Sequence, residues 1–183
     1  ARLIYEVDDY LPNVPVASAH KAALPKDILH RMRRAADSCD RVVVSTAALK
    51  NALHDLHAQI VVAPNYLPVW LWGGLPQRLR PDLVRKPRIG WVGGVSHGGD
   101  LKLIADVVRA FAGRVEWVFM GMLPDGVDPS TVELHSGIPI DKYPAYMATL
   151  NLDLALAPLE LNDFNRAKSN LRLLEYGICA YPV

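Results

Sequence analysis

Short apolar runs alternate along the chain with longer segments in which apolar residues recur every three or four positions. The short runs predict buried strands and the periodic segments predict helices, so their alternation predicts βαβ units. The predicted strands cover residues 3–7, 41–45, 59–63, 88–92, 115–120, 132–135 and 152–157. The predicted helices cover residues 26–38, 46–56, 100–112, 143–150 and 170–176. We therefore expect an α/β fold, a parallel sheet with flanking helices.

The alternation is interrupted between residues 67 and 87. An aromatic stretch at 69–72 and two glycines lead into a basic segment that contains prolines, a composition typical of a linker. The pattern predicts the end of an amino-terminal domain at 1–68, a hinge at 69–87 and a second domain at 88–183. Both ends of the chain interrupt predicted strands. We therefore expect a fragment of a longer protein.

Composition supports a globular protein with a substantial core. The 183 residues are 51% hydrophobic and 21% charged, with a net charge of +1, which gives no electrostatic reason to expect nucleic acid as a partner. Cys39 and Cys179 match no metal or redox spacing, so we expect reduced core thiols in a cytoplasmic protein. No apolar run is long enough to span a membrane.

The segment from Phe164 to Gly177 contains the highest concentration of charged and polar candidate residues. If Ser169 is the N-cap, a helix starts at residue 170, and Lys168, Arg172 and Glu175 fall on one face at i, i+4 and i+7. Two cations beside a helix N-terminus form an anion site, and a carboxylate one turn further suits a neighbouring hydroxyl group. Phosphate followed by ribose is the ligand that matches this order.

A glycine-rich turn follows the strand predicted at 88–92. Gly93 and Gly94 allow backbone N–H groups to approach a phosphate, and open α/β sheets bind ligands at such turns. The spacing is neither a dinucleotide fingerprint nor a P-loop, so a simple tight turn stays open as the alternative. His97 is a candidate phosphate or sugar contact, or it caps the helix or bonds Asp100, which we expect to be the N-cap.

Acidic residues at two other predicted strand ends are further candidates. Glu160 and Asp163 follow the strand at 152–157, where they either contact a sugar or are solvated loop acids. Asp8 and Asp9 follow the first strand, and adjacent carboxylates on an extended chain rarely chelate one metal ion, so we expect a solvated or hydrogen-bonded strand end.

We expect the tryptophans to serve core or interdomain packing. The basic helix face is expected to be solvated, with contact to an anionic membrane surface as the alternative; it carries Lys26, Arg31, Arg33 and Arg34.

Taken together, these motifs resemble the nucleotide-sugar-dependent glycosyltransferases of the GT-B fold. The group 1, family 4-like enzymes of bacterial polysaccharide and O-antigen synthesis are the most similar. The resemblance is carried by residues 89–94, Ala157-Pro158, Phe164, Lys168-Ser169, residues 174–177 and Pro182-Val183, with further similarity at 5–9 and 61–65. It implies two Rossmann-like domains, of which the second binds the donor. It also implies that this chain lacks most of the amino-terminal domain and is truncated at its carboxyl end.

The resemblance also implies roles for individual residues. Glu175 matches the carboxylate that holds the ribose hydroxyls, Arg172 matches a basic position facing the diphosphate, and Gly93 and Gly94 match the loop under the phosphates. Lys168 is a second cation. Many relatives carry two glutamates separated by seven residues, and Ala167 occupies the first of these positions. Alternatives for the donor sugar are Glu160, Asp163 and the pair Lys168-Ser169.

The function implied is transfer of a sugar from a UDP-sugar or GDP-sugar to a glycan or lipid-linked acceptor, without a metal cofactor. The resemblance implies retention of configuration, identifies no general base, and suggests that the fragment alone is inactive. Peripheral contact with the inner face of the membrane is an alternative to a purely cytoplasmic location. A non-catalytic nucleotide- or sugar-binding module is the main rival. An NAD-dependent nucleotide-sugar epimerase is disfavoured because the dinucleotide fingerprint is missing.

Overall fold

The computed structural model describes residues 2–16, 18–76 and 85–183 and confirms the α/β fold class, with two parallel, Rossmann-like sheets flanked by helices. The chain divides into two compact units. The first comprises residues 1–65 and 160–170, and the second comprises 66–159 and 171–183. The described part of the predicted hinge belongs to the second unit, and residues 77–84 lie outside the described residues.

The first unit contains a three-stranded parallel sheet in the order β1-β2-β3. Its strands are β1 (Ile4–Val7), β2 (Arg41–Val44) and β3 (Ile60–Val62), and its helices are α1 (Ile28–Asp37), α2 (Ala47–Ala52) and α7 (Asp163–Arg166). Met32 and Ala36 of α1 pack with Val42 and Val44 of β2, so one side of the helix covers the sheet. The basic residues of α1 are exposed, as predicted.

The second unit contains a four-stranded parallel sheet in the order β6-β5-β4-β7. Its strands are β4 (Arg88–Val92), β5 (Glu116–Met120), β6 (Glu133–His135) and β7 (Leu154–Ala155). Its helices are α3 (Val69–Trp72), α4 (Gly98–Lys102), α5 (Ala105–Ala110), α6 (Tyr143–Ala148) and α8 (Leu171–Ile178). Short 3₁₀ turns lie at Leu11–Asn13, Lys21–Ala23 and Pro129–Thr131.

Both faces of the second sheet are covered. Along β5, Val118 and Met120 enter one core cluster while Trp117 and Phe119 enter another, because successive side chains of a strand point to opposite faces. This two-sided burial explains why the parallel strands appear in the sequence as continuous apolar runs.

The structure corrects several predicted elements. The helix predicted at 100–112 is two helices, α4 and α5, although Leu101, Ala105 and Val108 remain buried at helical spacing. The segment at 69–72 is a short helix whose Trp72 is buried against Tyr143. Trp70 is 83% exposed and so lies outside the core, whereas the other three tryptophans are buried, as predicted. Cys179 is a buried free thiol, whereas Cys39 is only half-buried.

Candidate functional site

The strand order of the second sheet places a switch point beside β4. The chain adds β5 and β6 on one side of β4 and β7 on the other, so the connections leave the sheet in opposite directions at the β4–β7 boundary. Ligands of open α/β sheets bind outside the carboxyl ends of the strands at this kind of boundary. The predicted glycine-rich turn follows β4 and lies at this edge.

Two glycines allow the loops after β4 and β5 to approach each other. Gly121 has φ of +100°, and a Cβ atom built on it would lie 1.9 Å from the carbonyl oxygen of Gly93. A Cβ on Gly93 would lie 2.4 Å from the Trp91 ring and 3.1 Å from Nη1 of Arg172. Only glycine fits both positions without movement of the backbone or of the indole ring.

A cavity of about 280 Å³ opens at this edge. Its backbone-rich wall is formed by Gly93, Gly94, Gly121 and Gly137, and its apolar wall by Val92, Met120, Ile138 and Ile140. Three polar side chains complete the lining, from Tyr143, Arg172 and Glu175. An apolar cleft with a few convergent polar groups is the usual form of a small-molecule site.

Helix α8 is fixed to the switch point by Tyr176. Strands β4 and β7 pair at Ile89↔Leu154 and Gly90↔Ala155. Beyond these pairs, the Tyr176 hydroxyl accepts a hydrogen bond from the Val92 N–H at 3.0 Å and donates to the Leu156 carbonyl at 3.2 Å. The hydroxyl thus satisfies one backbone group on each side of the boundary, and it sets the position of the helix that carries Arg172 and Glu175.

Arg172 lies between aromatic rings and the glycine turn. Its guanidinium carbon is 5.7 Å from the Trp91 ring centroid and 6.0 Å from that of Tyr176. Both distances lie within the range of cation–π attraction, which favours a planar, permanently charged group. The arrangement holds a positive charge at the cavity wall, close to the backbone of Gly93.

Glu175 is a largely buried carboxylate at the same wall. Its side chain is 14% exposed, and Oε2 lies 3.5 Å from Nε of Arg172 and 3.2 Å from the Tyr143 hydroxyl, which donates to it. Desolvation raises the pKa of Glu175, while Arg172 and the Tyr143 hydrogen bond act in the opposite direction. Burial likewise raises the pKa of the Cys179 thiol to about 11.

The structure brings together four of the predicted site residues. Gly93, Gly94, Arg172 and Glu175 line one cavity, and Arg172 and Glu175 share one face of α8. Lys168 does not share that face, because α8 begins at Leu171 and Lys168 precedes it. The prediction that Lys168, Arg172 and Glu175 share one helix face was therefore wrong for Lys168.

His97 lies at the glycine-rich turn, where its Nδ1 is 2.7 Å from Oδ2 of Asp100. The bond between these two side chains was one of the predicted alternatives. Asp100 is not the N-cap that we expected, because α4 starts at Gly98 and His97 holds the position before it. His97 also contacts Trp91 edge-on at 5.8 Å between ring centroids, so the same indole ring is adjacent to both His97 and Arg172.

The remaining candidates belong to the first unit. Nζ of Lys168 lies 3.4 Å from Oδ1 of Asp9, and the Ser169 hydroxyl accepts a hydrogen bond from Nδ2 of Asn65 at 3.1 Å. Asn65 also donates to Asp8, which confirms the hydrogen-bonded strand end. Glu160 accepts from Asn162, and Asp163 forms an exposed ion pair with Arg166. Ala167 is buried in the core of this unit.

Sequence reasoning missed three aromatic residues of the site. Tyr143 contacts Glu175, Tyr176 fixes α8 to the sheet, and Trp91 supports Arg172. Trp91 and Tyr176 lie within the segments that carry the resemblance, but the sequence predicted only packing for Trp91 and no role for Tyr176. Tyr143 lies 32 residues before Glu175, and no local pattern connects the two.

Comparison with protein-family models and with curated proteins gave no match to this chain. Within the part of the chain that the structure describes, no three His, Cys, Asp or Glu side chains group as metal ligands. Over the same residues, no helix has the length and hydropathy required to cross a bilayer. The fold and cavity define the class, a Rossmann-like α/β protein with a ligand-sized cavity at the switch point of its second sheet.

Proposed function

We propose that the chain contains the donor-binding domain of a glycosyltransferase that moves a sugar from a nucleoside diphosphate to an acceptor hydroxyl. The observation that carries the proposal is the cavity in which Arg172 and Glu175 face the Gly93-Gly94 turn. This order of cation, backbone N–H groups and carboxylate matches diphosphate followed by ribose. The process we propose is bacterial polysaccharide or O-antigen synthesis, as the resemblance implies.

Arg172 has the chemistry required for the leaving group. Transfer breaks the bond between the sugar's anomeric carbon and the diphosphate oxygen, and forms a bond from that carbon to the acceptor oxygen. The proton of the acceptor hydroxyl passes to the released diphosphate. Negative charge accumulates on the diphosphate as the bond breaks. A guanidinium already fixed beside Trp91 and Tyr176 stabilises that charge without reorganisation at the moment of reaction. It supplies a countercharge for the metal-independent reaction that the resemblance implies.

Glu175 is suited to the ribose because a carboxylate accepts hydrogen bonds from vicinal hydroxyls. The apolar wall of the cavity suits the face of the base. The volume of about 280 Å³ lies just below the roughly 300–1,000 Å³ typical of ligand pockets. In this proposal the cavity holds the nucleoside diphosphate part of the donor, and the transferred sugar extends beyond it.

Calorimetric titration of the chain with UDP, GDP, UDP-glucose and GDP-mannose tests this proposal. We expect at least one ligand to bind with a dissociation constant of about 1 mM or tighter. The double variant Arg172→Ala/Glu175→Ala should weaken that binding by at least about tenfold, since each lost contact is charge-assisted. A folded sample that binds none of the four ligands at millimolar concentration would rule the proposal out.

A matched control keeps the residue assignment testable. Asp106 and Arg109 form an i,i+3 ion pair on α5 of the same unit, with side chains 93% and 50% exposed. The double variant Asp106→Ala/Arg109→Ala therefore removes a similar pair at the same spacing outside the cavity. We expect its nucleotide affinity to equal that of the wild type. Equal affinities for both double variants would contradict the roles of Arg172 and Glu175.

A further inference from the structure

The two carboxylate oxygens of Glu175 have different surroundings. Oε2 accepts the hydrogen bond from the Tyr143 hydroxyl at 3.2 Å and lies 3.5 Å from Nε of Arg172. Oε1 has no partner among residues 2–16, 18–76 and 85–183, although the side chain is largely buried and lines the cavity. A carboxylate held through one oxygen presents the other to a ligand in a defined direction.

Tyr143 is itself held in place. It is the first residue of α6 and is followed by Pro144, which fits the first turn of a helix. Its ring packs edge-on against the buried Trp72, with 5.8 Å between centroids. Burial raises the pKa of Tyr143 far above neutrality, so its hydroxyl remains a proton donor. Glu175 therefore receives its hydrogen bond from a rigid, always protonated group.

We propose that Tyr143 is a positioning residue that fixes Glu175 through Oε2, so that Oε1 accepts hydrogen bonds from the ribose and distinguishes ribonucleotides from 2′-deoxyribonucleotides. This inference rests on the proposed nucleotide-binding function and assigns the selectivity of the same cavity. Without the Tyr143 hydroxyl, the carboxylate can rotate towards Arg172, and Oε1 loses its fixed direction. Tyr143 acts through Glu175 and need not contact the ligand.

The hydrogen bond also controls protonation. It stabilises the charged form of Glu175, which burial disfavours, so its removal raises the pKa of Glu175 further. The other groups that face Glu175 are Arg172, Tyr176 and Cys179. Burial raises the pKa of Tyr176 and of Cys179, so both remain neutral while Glu175 titrates. Ribose selectivity should therefore increase with pH as Glu175 ionises. Without the Tyr143 hydroxyl, this increase should occur at a higher pH.

The experiment is calorimetry on the whole chain with UDP, GDP and their 2′-deoxy counterparts, from about pH 5 to pH 8. The ratio of ribo to deoxy affinity isolates the ribose contact, because both ligands carry the same diphosphate and its titration cancels. We expect Tyr143→Phe to reduce this ratio by about tenfold and to move its pH midpoint upwards. Tyr143→Met removes the same hydroxyl with a flexible side chain and should give the same result if the phenylalanine variant fails to fold.

Tyr146→Phe is the matched control. Tyr146 lies one turn further along α6, and its hydroxyl contacts Nδ1 of His135 at 2.8 Å. We expect the wild-type ratio and the wild-type midpoint for this variant, which separates positioning of Glu175 from a general effect on α6. A Tyr143→Phe ratio and midpoint equal to those of the wild type would overturn this inference alone. A wild-type chain that binds neither UDP nor GDP would overturn the proposed function, and this inference with it.

Discussion

The carboxyl edges of the two sheets differ in the residues that follow their strands. In the first unit, polar side chains follow the strands and satisfy one another. The Ser45 hydroxyl donates to the Asp8 carbonyl at 3.1 Å, Asn65 donates to the Asp8 carboxylate at 2.8 Å, and Thr46 donates to the Ala167 carbonyl at 2.7 Å. Hydrogen bonds within the unit therefore occupy the carboxyl ends of these strands, which we call the closed edge.

At the same edge of the second unit, glycines follow β4 and β5. Gly93 and Gly121 let the loops after β4 and β5 approach each other closely, and a cavity opens beside them at what we call the open edge. The strand order also differs, because the first sheet runs β1-β2-β3 without the reversal found beside β4. Parallel strands alone are therefore insufficient for the cavity, which arises where a switch point and small residues coincide.

The largest expected effect is that of Gly121→Ala, which would force apart the two loops at the open edge. The new Cβ would lie 1.9 Å from the Gly93 carbonyl oxygen, and φ of +100° is strained for alanine. We expect a loss of about 3 kcal/mol or more in the free energy of unfolding, together with loss of nucleotide binding. Urea denaturation followed by tryptophan fluorescence measures it, since all four tryptophans lie in the second unit.

Gly137→Ala is the control for that measurement. Gly137 also lines the cavity, but a Cβ there would have no heavy atom within 4 Å, and its φ lies outside the left-handed region. We expect no loss of stability for this variant. If Gly121→Ala were as stable as Gly137→Ala, the close approach of the two loops would not be required for the fold.

A smaller effect is expected from Thr46→Ala, which would remove two hydrogen bonds at the closed edge. The Thr46 side chain caps α2 by accepting from the Leu49 N–H at 2.9 Å, and it donates to the Ala167 carbonyl. Loss of both bonds should cost about 1–2 kcal/mol, measured by urea denaturation with far-UV circular dichroism. Thr46→Ser keeps the hydroxyl and should remain close to the wild type. A changed nucleotide affinity in Thr46→Ala would contradict the assignment of binding to the second unit alone.

The sequence predicted the strands well because buried parallel strands are continuous apolar runs. The strand expected at 41–45 is Arg41–Val44, and the one expected at 115–120 is Glu116–Met120. Short helices were less predictable. Helix α3 spans only Val69–Trp72, too few residues to show a period, and Trp72 is buried by contacts with residues distant in sequence, such as Tyr143.

The site was only partly predictable, for a related reason. Helical spacing correctly placed Arg172 and Glu175 on one face of α8. It could not show that residues 160–170 belong to one unit and 171–183 to the other, because that division depends on tertiary contacts. Lys168 therefore pairs with Asp9 in the first unit, and Tyr143 becomes the hydrogen-bond partner of Glu175 in the second.

Gly177→Ala has the smallest expected effect, and it tests whether glycines of the second unit matter in general or only at the open edge. Gly177 lies within α8, is exposed, and a Cβ there would have no heavy atom within 4 Å. Gly177 is the next-to-last residue of α8, so alanine should be favoured over glycine by less than the about 0.5–1 kcal/mol of a helix interior, and this variant should be slightly more stable. Urea denaturation followed by tryptophan fluorescence measures the change, with unchanged nucleotide affinity as the companion expectation. A destabilised Gly177→Ala would mean that α8 tolerates no side chain at this position, and that the open edge is not the only place where glycine is required.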